Sequence, residues 1–101
     1  MRNVLFIGQA GCKACERMYE TVIAPLEKRY PNNISTHYKW DGAIERVNRR
    51  KTIKRIPLVV VEKDGREEFR YCGELTIDEL SAIVECERET LTLDDVLGGA
   101  R

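Results

Sequence analysis

Apolar and polar positions follow two periods along this chain, and the switches between them mark its elements. Val4-Leu5-Phe6-Ile7 is a short apolar run closed by Gly8, which predicts a buried strand. From Cys15 the apolar residues fall at Met18, Tyr19, Val22, Ile23, Leu26 and Tyr30, one stripe at helical spacing. Pro25 lies inside that stripe and should kink or interrupt the helix, because it has no N–H and its ring crowds the preceding turn. Pro31-Asn32-Asn33 is a turn. Ile34 to Trp40 then alternates. Ile34, Thr36, Tyr38 and Trp40 share one face, and Ser35, His37 and Lys39 share the other, so one face should be better buried. On that reading Tyr38 and Trp40 are core residues and His37 is at the surface. Asp41 can cap a short helix through about Lys51, with Ala43, Ile44 and Val47 inward and Arg46, Arg49, Arg50 and Lys51 in its later turns.

Leu58-Val59-Val60-Val61 is continuously apolar, the pattern of a central strand covered on both sides. Lys63-Asp64-Gly65 predicts a hairpin turn, with Arg66 to Cys72 returning and Gly73 ending the strand. Thr76-Ile77-Asp78-Glu79 reads as a capping box opening a helix whose inward residues are Ile77, Leu80, Ile83 and Val84. Residues 1–86 are expected to form one domain. Residues 87–101 follow as a C-terminal tail with a short turn around Leu93 to Leu97, which Gly98-Gly99 would end. The order is β-α-β-α-β-β-α. A right-handed first crossover makes the first two strands parallel, and the hairpin makes the last pair antiparallel. The expected fold is an α/β sandwich around a four-stranded mixed sheet, with a short C-terminal extension.

Composition narrows the function. The chain has 101 residues and a formal net charge of +0, so no global field favours nucleic acid or a membrane surface. The basic run from Arg46 to Arg55 reads as a solvated face. The apolar run after Met1 is too short for a signal-peptide core, and no segment is long enough to span a bilayer. These features predict a cytoplasmic protein, and a monomer is expected. Thiols are kept reduced there, so closely spaced cysteines point to catalysis or metal binding.

The chemistry-bearing stretch is Gly11-Cys12-Lys13-Ala14-Cys15, at the turn from the first strand into the first helix. A helix N-terminus has unpaired N–H groups and a partial positive charge, and both favour a thiolate. Cys15 lies on the apolar stripe and should face the core, whereas Cys12 precedes the helix and should face solvent. Cys12 is therefore the attacking thiolate and Cys15 the shielded resolving thiol of a thiol–disulfide oxidoreductase. Zinc would need two further ligands. Cys72 and Cys86 form no second C-x-x-C, and His37 is the single histidine. Cys72 reads first as a small buried hydrophobe, and second as an accessory thiol within reach of the pair. Cys86 reads as a partly exposed bystander. The Lys13 charge could stabilise the Cys12 thiolate, and Lys54 and Arg55 could favour acidic substrates.

With these motifs in hand, the chain resembles the thioredoxin-fold superfamily from Val4 to about Cys86. The resemblance rests on the C-x-x-C after the first strand, Ile53-Lys54-Arg55-Ile56-Pro57, Gly65 in the hairpin, and Gly73 before the last helix. It implies a thioredoxin-like fold with a cis Ile56–Pro57 bond facing the dithiol. Such a bond leaves the backbone of Ile56 free to pair with a substrate chain, with Gly73 flanking the same groove. Gly11 and Lys13 complete the implied substrate-binding set. The resemblance further implies protein disulfides as substrates and a thioredoxin reductase or low-molecular-weight thiol as electron donor. No cofactor is implied beyond the redox-active Cys12–Cys15 disulfide. With only eleven residues before Cys12, the plan is closer to glutaredoxins. Gly11 stands where thioredoxins carry a tryptophan, Phe6 where they carry a buried aspartate, and Lys13-Ala14 between the thiols is found in neither group's usual motif. Glu74-Leu75-Thr76 follows Gly73, where glutaredoxins usually have glycine and aspartate for glutathione. A glutathione-dependent glutaredoxin-like reductase and a non-catalytic binding or metal-binding module remain as alternatives.

Overall fold

The computed structural model describes residues 1–97. β1 (Asn3–Gly8) leads into a helical rod built of α1 (Lys13–Met18), a π turn (Tyr19–Ile23) and α2 (Ala24–Arg29). Then come β2 (Ile34–Tyr38), a 3-10 turn (Gly42–Ile44) running into α3 (Glu45–Arg50), and β3 (Leu58–Lys63). β4 (Arg66–Cys72), α4 (Ile77–Glu85) and α5 (Leu93–Leu97) complete the described chain. The sheet order is β2-β1-β3-β4. β1 and β2 are parallel, and the other two pairings are antiparallel. The fold is thus the expected four-stranded mixed sheet with flanking helices.

The two central strands explain their own unbroken apolar runs. Val4, Phe6, Val59 and Val61 point to one face, where they meet Met18, Leu26, Leu80 and Ile83. Leu5, Ile7, Leu58 and Val60 point to the other, against Ile44, Val47 and Ile53. Strands buried on both faces have no polar alternate positions. Pro25 interrupts the helical rod as expected. The Ala24 N–H reaches back to the Tyr19 carbonyl, the i to i+5 bond of a π turn, and the α-helix resumes with Pro25 in its first turn, where a missing N–H costs least. Thr76 and Glu79 form the expected capping box at α4.

Several expected core positions are exposed instead. Tyr38 and Trp40 are 55% and 68% exposed. Alternation puts Thr36 and Tyr38 on the face of Ile34, but only Ile34 is buried there: Thr36 is exposed too, whereas Ser35, His37 and Lys39 on the opposite face are half-buried. The helical rod covers Ile34 but leaves the far end of β2 open. Tyr38 is in register with Gly8, which has no side chain to cover it, and Trp40 lies in the turn beyond the strand. Tyr19 is also exposed, because the π turn rotates it off the inward stripe. Ala43 is exposed at the wider-spaced 3-10 turn, while Ile44 and Val47 are buried. His37 is half-buried rather than at the surface, held by Ser35 Oγ at 2.9 Å and Asp41 Oδ2 at 3.3 Å. Asp41 caps as expected, its Oδ1 accepting the Ala43 N–H at 2.9 Å.

The hairpin carries a β-bulge. Val61 pairs with Phe69 and Glu62 with Glu67, which leaves Glu68 without a register partner. The freed Glu68 carboxylate forms an ion pair with Arg2, which is 1% exposed. The remaining Arg2 donors reach the carbonyls of Cys86 and Arg88, and Glu68 also accepts the Leu91 N–H at 3.2 Å. Leu91 is buried, and Val96 and Leu97 pack against the same core. Hydrogen bonding to Arg2, opposed by burial and helped by the Leu91 N–H, holds the Glu68 carboxyl below its ordinary value. The expected stop at Gly98-Gly99 lies outside the described residues. Within them, no helix is long and apolar enough to cross a membrane.

Candidate active site

The site is assembled at one end of the sheet by strand register. Ile7, Leu58 and Cys72 lie in one row across β1, β3 and β4. The dithiol loop follows Ile7 by way of Gly8, the Ile56–Pro57 peptide precedes Leu58, and Gly73 follows Cys72. Residues far apart in sequence are therefore brought to the same edge. The Ile56–Pro57 bond is cis, as the resemblance implied. Pro57 is buried, and its carbonyl accepts the Gly73 N–H at 2.9 Å, which ties the end of β4 to the proline loop. Ile56 is half-buried between the two apolar layers. Among the described residues, its backbone N–H and C=O have no hydrogen-bond partner.

Cys12 and Cys15 are joined as a disulfide with Cα atoms 5.2 Å apart. Their environments differ as the helical stripe predicts. Cys15 is 4% exposed and sits in the core with Phe6 and Met18. Cys12 is half-buried and is the N-cap of α1, its Sγ accepting the Cys15 N–H at 3.2 Å. A sulfur in that position takes one of the N–H groups a helix start leaves unpaired. Gly11 and Lys13 flank it, both exposed.

Gly8 is a site residue that sequence reasoning took only for a strand end. A Cβ there would lie 3.1 Å from Cys15 Cβ and 3.2 Å from Cys15 Sγ. The glycine lets the buried cysteine pack directly onto the β1 backbone. A glycine closing a strand just before a dithiol was the available signal. Gly73 has φ +131, a conformation side chains rarely adopt, and a Cβ would meet the Tyr71 ring at 3.2 Å. The ion pair between Arg17 and Glu74 was also missed. Its two bonds, 3.0 and 2.8 Å, link α1 to the loop after Gly73. Hydrogen bonds from Arg17 hold the Glu74 carboxyl below its ordinary value.

Cys72 corrects its first reading, because it is exposed rather than a buried hydrophobe. It ends the edge strand β4 and shares the α3 face of the sheet with its partner Leu58, whereas the dithiol lies on the α1 face. Cys86 is half-buried at the end of α4. Among the described residues, no group of three or more His, Cys, Asp or Glu side chains is arranged to hold a metal ion.

No family model and no curated protein matches the chain. Solved structures do match. Thioredoxin-2 of the malaria parasite superposes with a TM-score of 0.64 at 20% identity, over 83% of this chain and 81% of that one. Thioredoxin 1 of Thermosipho africanus gives 0.62 at 17% identity, over 82% and 90%. Oxidised thioredoxin O1 of Arabidopsis thaliana gives 0.58 at 22% identity, over 84% and 76%. At these identities the likeness is one of architecture: the chain has the thioredoxin fold, with a C-x-x-C disulfide at the start of its first helix.

Proposed function

We propose that the chain is a thiol–disulfide oxidoreductase that reduces or exchanges protein disulfides through Cys12 and Cys15. The observation that carries this reading is the asymmetry of the pair: one sulfur caps a helix at the surface, and the other is buried three residues on. In the reduced protein, the N–H groups of the helix start favour the anion of Cys12. That thiolate attacks one sulfur of a substrate disulfide. A Cys12–substrate disulfide forms, and the second substrate sulfur leaves as a thiolate. Cys15 gives its proton to the released substrate thiolate and attacks Cys12 Sγ. The Cys12–substrate bond breaks, the first substrate sulfur leaves as a thiolate, and two electrons have passed from the dithiol to the substrate.

The free backbone groups of Ile56 suit strand-type pairing with an extended substrate segment beside Pro57. Gly73 flanks that groove on the β4 side, and Gly11 and Lys13 form the rim next to Cys12. Electrons return from a thioredoxin reductase or a low-molecular-weight thiol. Such recycling belongs in a reducing compartment, and we assign the chain to the cytoplasm, acting as a monomer.

The test is a pair of variants assayed on a protein disulfide. Cys12→Ser abolishes reduction. Cys15→Ser accumulates a mixed disulfide with substrate, read by mass spectrometry without reductant. Full turnover by Cys12→Ser would overturn the proposal. Recycling with thioredoxin reductase against recycling with glutathione separates the two electron sources.

A further inference from the structure

Tyr19, Tyr38 and Trp40 are exposed large hydrophobic side chains, and the two tyrosines share one cleft with Cys15. Tyr38 and Trp40 are stacked, with ring centroids 5.3 Å apart and planes 6° from parallel. Tyr19 and Tyr38 wall a cleft of ≈ 460 Å³ that also reaches Cys15. Stacked aromatics left in water at the end of an edge strand forgo the burial that normally accounts for them, and such patches mark interaction surfaces.

The charge at this cleft comes chiefly from carboxylates. Glu16, Glu20 and Glu27 line it, His37 is its one basic side chain and is held by Ser35 and Asp41, and no lysine or arginine lines it. None of the three forms an ion pair among the described residues, although Glu27 accepts the Thr36 hydroxyl at 2.9 Å. Glu74 is matched by Arg17, Glu62 by Arg46 and Arg50, and Glu45 by Arg49; the further carboxylates without an ion pair among the described residues, such as Asp64, Asp78 and Glu87, do not line this cleft. A chain of zero net charge therefore presents one aromatic cleft with unmatched negative charge.

We propose that this cleft docks a lysine- or arginine-bearing segment of a partner protein. A cation over the face of a tyrosine or tryptophan is attracted by the ring quadrupole, and the glutamates supply its counter-charge. An acidic segment would be repelled, and a purely apolar one would leave the carboxylates unpaired. The cleft lies on the β2 side of the dithiol loop, whereas the cis-proline loop lies on the β3 side. A partner docked here leaves the proposed substrate groove open. Docking is separate from thiol chemistry and does not require that the redox reading hold.

Trp40 is the single tryptophan, so its emission reports on the patch. The intact protein is titrated with a short cysteine-free arginine-rich peptide and with its glutamate counterpart of equal length, with calorimetry as a second readout. The basic peptide should give a saturable change that weakens with salt, and the acidic one none. Glu20→Gln, an exposed change that does not threaten folding, and Tyr38→Ala should each weaken binding roughly tenfold. Cys12→Ser should bind as the unaltered protein does. Equal affinity for both peptides, salt-independent binding, or full affinity in both variants would overturn the proposal.

Discussion

Replacing Glu68 by leucine tests how far the fold depends on one buried cation. Arg2 is 1% exposed and cannot turn to water, and Glu68 is its counter-charge. In Glu68→Leu the guanidinium keeps the carbonyls of Cys86 and Arg88 but loses both carboxylate bonds, and the Leu91 N–H loses its acceptor. Breaking a buried pair by removing one partner costs about 3–5 kcal/mol. The retained carbonyls and the partial exposure of Glu68 argue for the lower end, ~3 kcal/mol. Domains of this size are stable by about 5–15 kcal/mol, and each kcal/mol moves Tm by roughly 4–8 °C, so the expected fall is about 12–24 °C. The assay is thermal and urea unfolding followed by circular dichroism. The double variant Arg2→Met with Glu68→Leu removes both charges and should regain most of the loss. Acid adds a second readout. The folded carboxyl lies below its ordinary value of 4.5, so its stabilisation is fully present above that pH and is lost as pH falls through the folded value. Glu68→Leu should flatten that part of the acid limb. Unchanged stability in the single variant would refute the reasoning.

Other expectations follow from the same geometry. Gly8→Ala forces a Cβ against Cys15 and should cost about 1–3 kcal/mol by overpacking, with a measurable shift in the equilibrium of the dithiol against a glutathione redox buffer. Gly73→Ala places a side chain at φ +131 and against Tyr71, and should lower stability by about 1–3 kcal/mol in urea unfolding. Glu62→Gln should cost less than Glu68→Leu, about 1 kcal/mol in the same assay. Its partners Arg46 and Arg50 are 52% and 37% exposed and can turn to solvent when the carboxylate is lost.

The parts of the fold that local chemistry specifies were legible in the sequence. The apolar runs at Val4–Ile7 and Leu58–Val61 are unbroken because both faces are covered, and Thr76 with Glu79 announces α4 by bonds within one turn. The asymmetry of the dithiol was also legible, because helical spacing alone sends Cys15 inward. What depends on distant partners was not. Alternation in β2 gives the face of Tyr38, but not that the helical rod stops short of covering it. An arginine at position 2 reads as a flanking charge until a bulge sixty-six residues away turns a carboxylate toward it. Cys72 reads as core until the sheet order makes β4 an edge.

Arg2 has a consequence for how the molecule is made. Its acceptors in Glu68, Cys86 and Arg88 follow it by 66, 84 and 86 residues. A nascent chain halted before Glu68 carries a guanidinium beside its first strand without any of the oxygens that receive it. Sealing that strand is then opposed until residues 68–88 have been made, and chains arrested before Glu68 should remain open to protease. A single side chain so makes the synthesis of residues 68–88 a condition of a closed native structure.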